Sequence, residues 1–200
     1  NGTFYLLDGR QLTVPMMRQT QSFGYTEGEG YQVVELPYDG DELSMVILLP
    51  ASGNFEAFEA GLQAQQVDDS IKALQNTRVS LTMPKFQFDS KFSLKDTLSG
   101  MDMPDAFSPQ DADFSGMTGN RELFISDVIH KAFVAVDEAG TEAGALTEFM
   151  VLGVGSNVVA TRPFLCAIEN ERTGSLVFLG AIEDPQQEAE AIRHHAAPKP

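Results

Sequence analysis

The chain has 200 residues, 42% of them hydrophobic, enough for one sizeable core or a large piece of a bigger domain. Thirteen basic against 29 acidic residues leave a formal charge of -16, which argues against nucleic acid or an anionic membrane surface as partner. No apolar run approaches the roughly 18 residues of a membrane span, so the chain reads as soluble, and three His with one Cys argue against a zinc site.

The chain opens at Asn1 without Met or a signal-like run, so its natural amino terminus is expected upstream. Short β-rich segments come first: QLTVPMM (11–17), QSFGYTE (21–27), YQVVELPY (31–38) and LSMVILLP (43–50). Asp39-Gly40 between two apolar runs is the strongest short hairpin signal, and an antiparallel meander follows from it. From Asn54 to Gln75 the period changes. Phe55, Phe58 and Leu62 share one helical face and Val67, Ile71 and Leu74 another, which predicts two short helices. TRVSLTMPKFQFDSKFSL (77–94) returns to alternation around Pro84, and LKDTLSGM (94–101) reads as one or two helical turns. Ser108 to Asn120 is polar and Gly-rich, a loop from which Phe114 and Met117 are candidates to tuck inward.

ELFISDVIHKAFVAVDE (122–138) is apolar on both faces at its centre, which predicts a long strand inside a sheet and not at its edge. DEAGTEAGAL (137–146) follows, small, acidic and rich in Ala and Gly. Thr141, Ala143, Ala145, Thr147 and Phe149 would share one side of an extended chain, with Glu142, Gly144, Leu146, Glu148 and Met150 on the other. Such a segment suits a half-buried strand but is poorly anchored outside a sheet. VVAT (158–161), PFLCAIEN (163–170) and SLVFLGAIED (175–184) read as strands, the last two joined through ERTG in a hairpin. Cys166, among apolar neighbours, reads as a buried, inert thiol. Residues 186–200 form a tail without a core pattern, helix-prone from Gln186 to Arg193, and no linker divides the rest into two domains.

Other patterns take their ordinary explanation. His194-His195 is a solvated pair in a Pro-ended tail, and GVGSN around Ser156 does not satisfy G-x-S-x-G. Asp102, Asp105, Asp111 and Asp113 lack the spacing of a calcium loop.

In this order the segments LLDGRQLTVPMM, VVELPYDGDELSMVILLP, LTMPKFQF, ADFSGM, VIHKAFVAVDEAGTEA and RPFLCAIENERTGSLVFLGAIEDP resemble the carboxy-terminal half of a serpin from about Phe4 to Pro185, within a single domain taken as residues 1–185. The resemblance implies a mixed, sheet-rich α+β fold, with the helix-rich amino-terminal half missing. It implies a metastable, secreted inhibitor of serine proteases, with cysteine proteases as a further target class, extracellular or periplasmic, monomeric at full length and without a cofactor. In that family a protease attacks a reactive loop, here about residues 138–160, and forms an acyl-enzyme. The cleaved loop then inserts into the central sheet and traps it. The resemblance places the hinge at Glu138, Ala139, Gly140, Thr141, Glu142, Ala143, Gly144 and Ala145, with Thr141 entering first. It places the reactive bond at Val154-Gly155, or at Leu152-Gly153 when counted back from Arg162-Pro163-Phe164. Gly140 to Val154 extended would span roughly 46 Å. Lys85 matches a lysine that pairs with the glutamate at the loop's base, here Glu138, and His130 matches a shutter histidine. Gly144, Leu146 and Glu148 depart from the inhibitory pattern on the outward face, so slower insertion is expected. No Lys or Arg occurs from Ala132 to Thr161, which favours elastase-, chymotrypsin- or subtilisin-like targets over trypsin-like ones. Two alternatives stand beside this: a non-inhibitory serpin acting as carrier, chaperone or storage protein, which the small residues at Thr141 and Ala143 oppose, and a truncation product acting as a binding peptide.

Overall fold

The computed structural model describes residues 1–40, 42–137 and 155–186, and for 88 and 89 the backbone alone. The chain divides into two compact units, one of residues 1–86 with 135–186 and one centred on residues 87–134.

In the first unit β1 (Gly2–Tyr5) pairs antiparallel with β2 (Gln11–Val14). Pro15 has no N–H to donate and ends β2. β3 (Met16–Gly28) then runs unbroken for 13 residues, where the sequence suggested two shorter strands. β4 (Tyr31–Pro37) and β5 (Leu43–Pro50) form the hairpin signalled by Asp39-Gly40. The Tyr38 N–H donates to the Leu43 carbonyl at 2.9 Å, and Gly40 takes a φ of +93°, which a side chain would oppose. β6 (Gln75–Pro84), β9 (Ser156–Val159), β10 (Phe164–Asn170) and β11 (Ser175–Ile182) complete a seven-stranded sheet of order β11-β10-β5-β4-β3-β6-β9. Every pairing is antiparallel except β6 with β9, where Val79 faces Ser156 and Thr82 faces Val159. The last three strands therefore close both edges of the block formed by β3 to β6.

Two helices, α1 (Phe55–Gly61) and α2 (Ala64–Lys72), appear where the change of period placed them. Phe55 and Val67 pack on Val33, Val46, Leu48 and Leu165, with Phe58, Ile71 and Leu74 around them. Tyr31 braces α2 from below: its ring lies 4.9 Å from that of Phe58 and its hydroxyl is 2.9 Å from Ser70 Oγ.

The second unit is built on β7 (Phe86–Ser93) and β8 (Ile129–Val136), which form a two-stranded sheet. α3 (Lys95–Gly100), a 3-10 turn at Asp105–Phe107 and the single turn α4 (Ser115–Thr118) lie between them. Phe107 and Ala112 are buried, Phe114 is half-buried and Met117 is exposed, so only the first of the two expected residues turns inward. Asp113 accepts from the Ser115 hydroxyl and N–H and from Arg121, and these bonds hold its carboxyl below the usual range. The acidic loop is thus a set of hydrogen-bonded turns.

β8 is shorter than the strand expected over 122–138. It begins at Ile129, and among the described residues its one strand partner is β7; Ile129 is 50% and Phe133 63% exposed. A strand apolar on both faces needs cover on both faces of its sheet. Among the described residues no helix is long and apolar enough to cross a membrane, and no group of three or more His, Cys, Asp or Glu side chains is arranged to hold a metal ion.

Candidate functional site

The segment that the resemblance marks as a reactive loop is bounded by β8 on one side and β9 on the other. Glu138, Ala139, Gly140, Thr141, Glu142, Ala143, Gly144 and Ala145 lie outside the described residues, as do Leu152, Gly153 and Val154 and the tail beyond Gln186. The pairing of Lys85 with Glu138 therefore also falls outside them.

On the amino-terminal side, Ala135, Val136 and Asp137 run over an apolar cleft lined by Met17, Leu36, Tyr38, Met45 and Met83. Tyr38 is held above its ordinary range by burial, and then by the neighbouring Cys166. Cys166 is fully buried, which pushes its thiol up to about 12 and leaves it protonated and inert, as the sequence suggested. Lys85 follows the last residue of β6, and its backbone N–H donates to the Pro15 carbonyl at 2.9 Å. His130 is exposed on β8, its ring 5.1 Å from that of Phe92 on β7.

The carboxy-terminal side is more firmly built. Gly155 immediately precedes β9 and lies against the backbone of β6: a Cβ there would stand 2.7 Å from the Arg78 carbonyl oxygen. Ala160 N–H continues the ladder to the Thr82 carbonyl at 2.8 Å, and Tyr5 N–H reaches the Thr161 carbonyl at 2.8 Å. Gln32 Nε2 donates to the Asn157 carbonyl at 3.3 Å and to the Tyr25 hydroxyl at 2.9 Å. Tyr25 in turn bonds Glu27, and burial followed by that carboxylate raises its phenol above the ordinary range. Arg162 Nε donates to the Pro50 carbonyl at 2.8 Å, and Nη1 reaches the Val159 carbonyl at 3.5 Å. Arg162 so clips the end of β9 to the end of β5. In the sequence Arg162 stands out only as a cation next to Pro163 in an otherwise apolar run.

Gly155→Ala is expected to cost about 1–3 kcal/mol, because the obstructing atom is backbone and cannot rotate away. The measurement is a lower urea midpoint; an unchanged midpoint would make the close approach to Arg78 dispensable.

A model of the family described as serpin (serine protease inhibitor) matches residues 1–185. The chain is similar to an uncharacterized serpin-like protein of Thermococcus kodakarensis, 37% identical over 93% of this chain and 45% of the relative. It is similar to human serpin B3, 41% identical over 86% of this chain and 47% of the relative, and to human leukocyte elastase inhibitor, 38% identical over 92% and 52%. The chain thus spans about half the length of these curated relatives. With the family model matched over nearly the whole chain, and with the sheet-rich fold built on the segments that carry the likeness, the chain belongs to the serpin family.

Proposed function

We propose that this protein inhibits serine proteases by presenting residues 138–160 as bait and inserting the cleaved loop into a sheet. The observation that carries the reading is the placement of the small-residue stretch from Glu138 to Ala145 directly after β8, a strand with an open edge among the described residues. An open edge offers unpaired N–H and C=O groups, and a strand of small residues can join it at little steric cost. Thr141 leads the insertion, Lys85 closes on Glu138 at the loop's base, and His130 acts as the shutter histidine of β8. The native fold is then a kinetic trap, since insertion adds hydrogen bonds and burial that the free loop lacks.

Val154-Gly155 is the reactive bond in the register counted from Glu138. The position of β9 favours the second register, Leu152-Gly153: strand pairing begins at Ser156, and Gly155 is packed on Arg78, so a protease at Val154-Gly155 would have to peel β9 away. The target is an elastase-, chymotrypsin- or subtilisin-like enzyme, encountered outside the cytoplasm.

The test is incubation of the intact protein with elastase, chymotrypsin, subtilisin and trypsin. A complex that survives detergent is expected with at least one of the first three and none with trypsin, together with a large rise in Tm after loop cleavage. Cleavage that yields neither complex nor Tm rise would remove the inhibitor reading. Mass spectrometry of the released peptide decides between the two bonds.

A further inference from the structure

One face of the sheet where β3, β6 and β9 lie together carries charge opposite to that of the chain. β3 and β6 pair so that Arg18 faces Thr82, Thr20 faces Ser80 and Ser22 faces Arg78. The parallel register of β9 sets Asn157 beside Ser80. These residues alternate with the buried Val79, Leu81, Met83 and Val158, so they share the side of the sheet turned away from that apolar row. Apart from the half-buried Thr82 they are exposed. Thr20 Oγ1 donates to Ser80 Oγ at 3.3 Å between the two arginines.

Among the described residues Arg10, Lys72 and Arg121 pair with Asp8, Asp68 and Asp113, whereas Arg18 and Arg78 have no carboxylate partner. The first acid along the same face is Glu35, beyond Gly24, and its Oε1 accepts from the Ser44 hydroxyl. Two guanidinium groups and a row of hydroxyls with no acid among them thus stand on a chain of formal charge -16. Guanidinium and hydroxyl groups both donate to carboxylates, and these are free to meet carboxylates brought from outside. Arg78 lies four residues along the strands from the position opposite Arg18, about 14 Å. That spacing suits separate carboxylates on a folded surface better than one small anion.

The face begins where the bait ends. Gly155 lies against the Arg78 backbone, and both proposed bonds are within three residues of it, at most about 10 Å of chain. A protease closed on either bond must overhang β9 and the strands beside it. We propose that this face of β3, β6 and β9 is a docking surface for a target protease whose rim beside the active site is acidic. The proposal rests on the inhibitor reading and names the charge of its target. Rim charges of this kind act mainly on the association rate, and salt removes the gain.

The probe is a subtilisin-type protease with an acidic surface, presented to the intact protein both active and with its nucleophilic serine replaced by alanine. Association with the inactivated form reads docking alone; the detergent-stable complex with the active form reads trapping. Arg18→Glu combined with Arg78→Glu should slow association about tenfold at low salt, with the difference gone near about 0.5 M salt. Arg18→Gln combined with Arg78→Gln should slow it roughly threefold, and decides alone if the first protein does not fold. Arg172→Glu, a charge reversal in the exposed turn after β10 at the other edge of the sheet, should keep the parent rate. No association, association unchanged in every folded double variant, or an equal loss in Arg172→Glu would overturn the docking face, whether or not trapping occurs. Arginine-dependent association without a detergent-stable complex would uphold the face and remove the inhibitor reading instead.

Discussion

Under the proposed function, Thr141→Arg is expected to turn an inhibitor into a substrate: the protease still cuts the loop, but the complex falls apart to cleaved protein and free enzyme. Inhibition of this kind is a race between insertion of the hinge and hydrolysis of the acyl-enzyme. Thr141 is proposed as the first side chain to enter. An arginine there must bury a charge with no partner or stay out of the sheet, and either course raises the insertion barrier. A barrier higher by about 3 kcal/mol slows insertion roughly 150-fold, enough to hand the race to hydrolysis. Thr141→Ser, which keeps the size and the hydroxyl, should leave the outcome unchanged. The measurement is the number of inhibitor molecules consumed per protease inactivated. Covalent complexes formed by Thr141→Arg at the parent stoichiometry would show the hinge to be wrongly assigned.

Phe164→Ala carries the largest expected loss of stability. Phe164 is fully buried at the start of β10, and its ring stands edge-on to that of Phe86 with centroids 5.9 Å apart. β10 is paired on both sides, with β5 and β11, so the surrounding strands cannot collapse far into the space left behind. A loss of about 3–5 kcal/mol follows, a large part of the roughly 5–15 kcal/mol that holds a typical domain folded. Met117→Ala, at an exposed position of the single turn α4, should cost within about 0.5 kcal/mol. Urea unfolding measures both. A loss below about 1 kcal/mol for Phe164→Ala would mean that the cavity closes by repacking.

Local signals read well in this chain because their causes are local. Asp39-Gly40 marks the β4–β5 turn, where Gly40 adopts the left-handed φ that the dipeptide favours. The shift to a helical period at Phe55 marks α1 and α2, whose apolar faces are the ones that pack. The resemblance carried the family as well, through the order of segments that none of them conveys alone. Pairings between distant parts were less legible. Nothing in VVAT shows that β9 lies parallel to β6, since register across such a distance is set by the assembled sheet. The apolar centre of 122–138 states a need for cover on both faces without saying what supplies it, and among the described residues Ile129 and Phe133 stay exposed. Glu35 illustrates the same limit: in VVELPY it alternates as a solvent-facing residue would, yet the face it lies on continues the one that α1 and α2 cover.

The strand order also bears on synthesis. β3, β4, β5 and β6 have left the ribosome once Pro84 has emerged, but their outer edges are closed only by β9 and β10, which begin at Ser156 and Phe164. At about 5–20 residues per second, that gap lasts on the order of ten seconds. For that interval the nascent chain carries two open strand edges, one of them on β5, whose residues from Ser44 to Pro50 are all buried in the finished sheet. Exposed edges of this kind recruit other strands. Slowing translation between Lys85 and Gly155 should therefore raise aggregation of the newly made protein, whereas a pause after Ile182 should not.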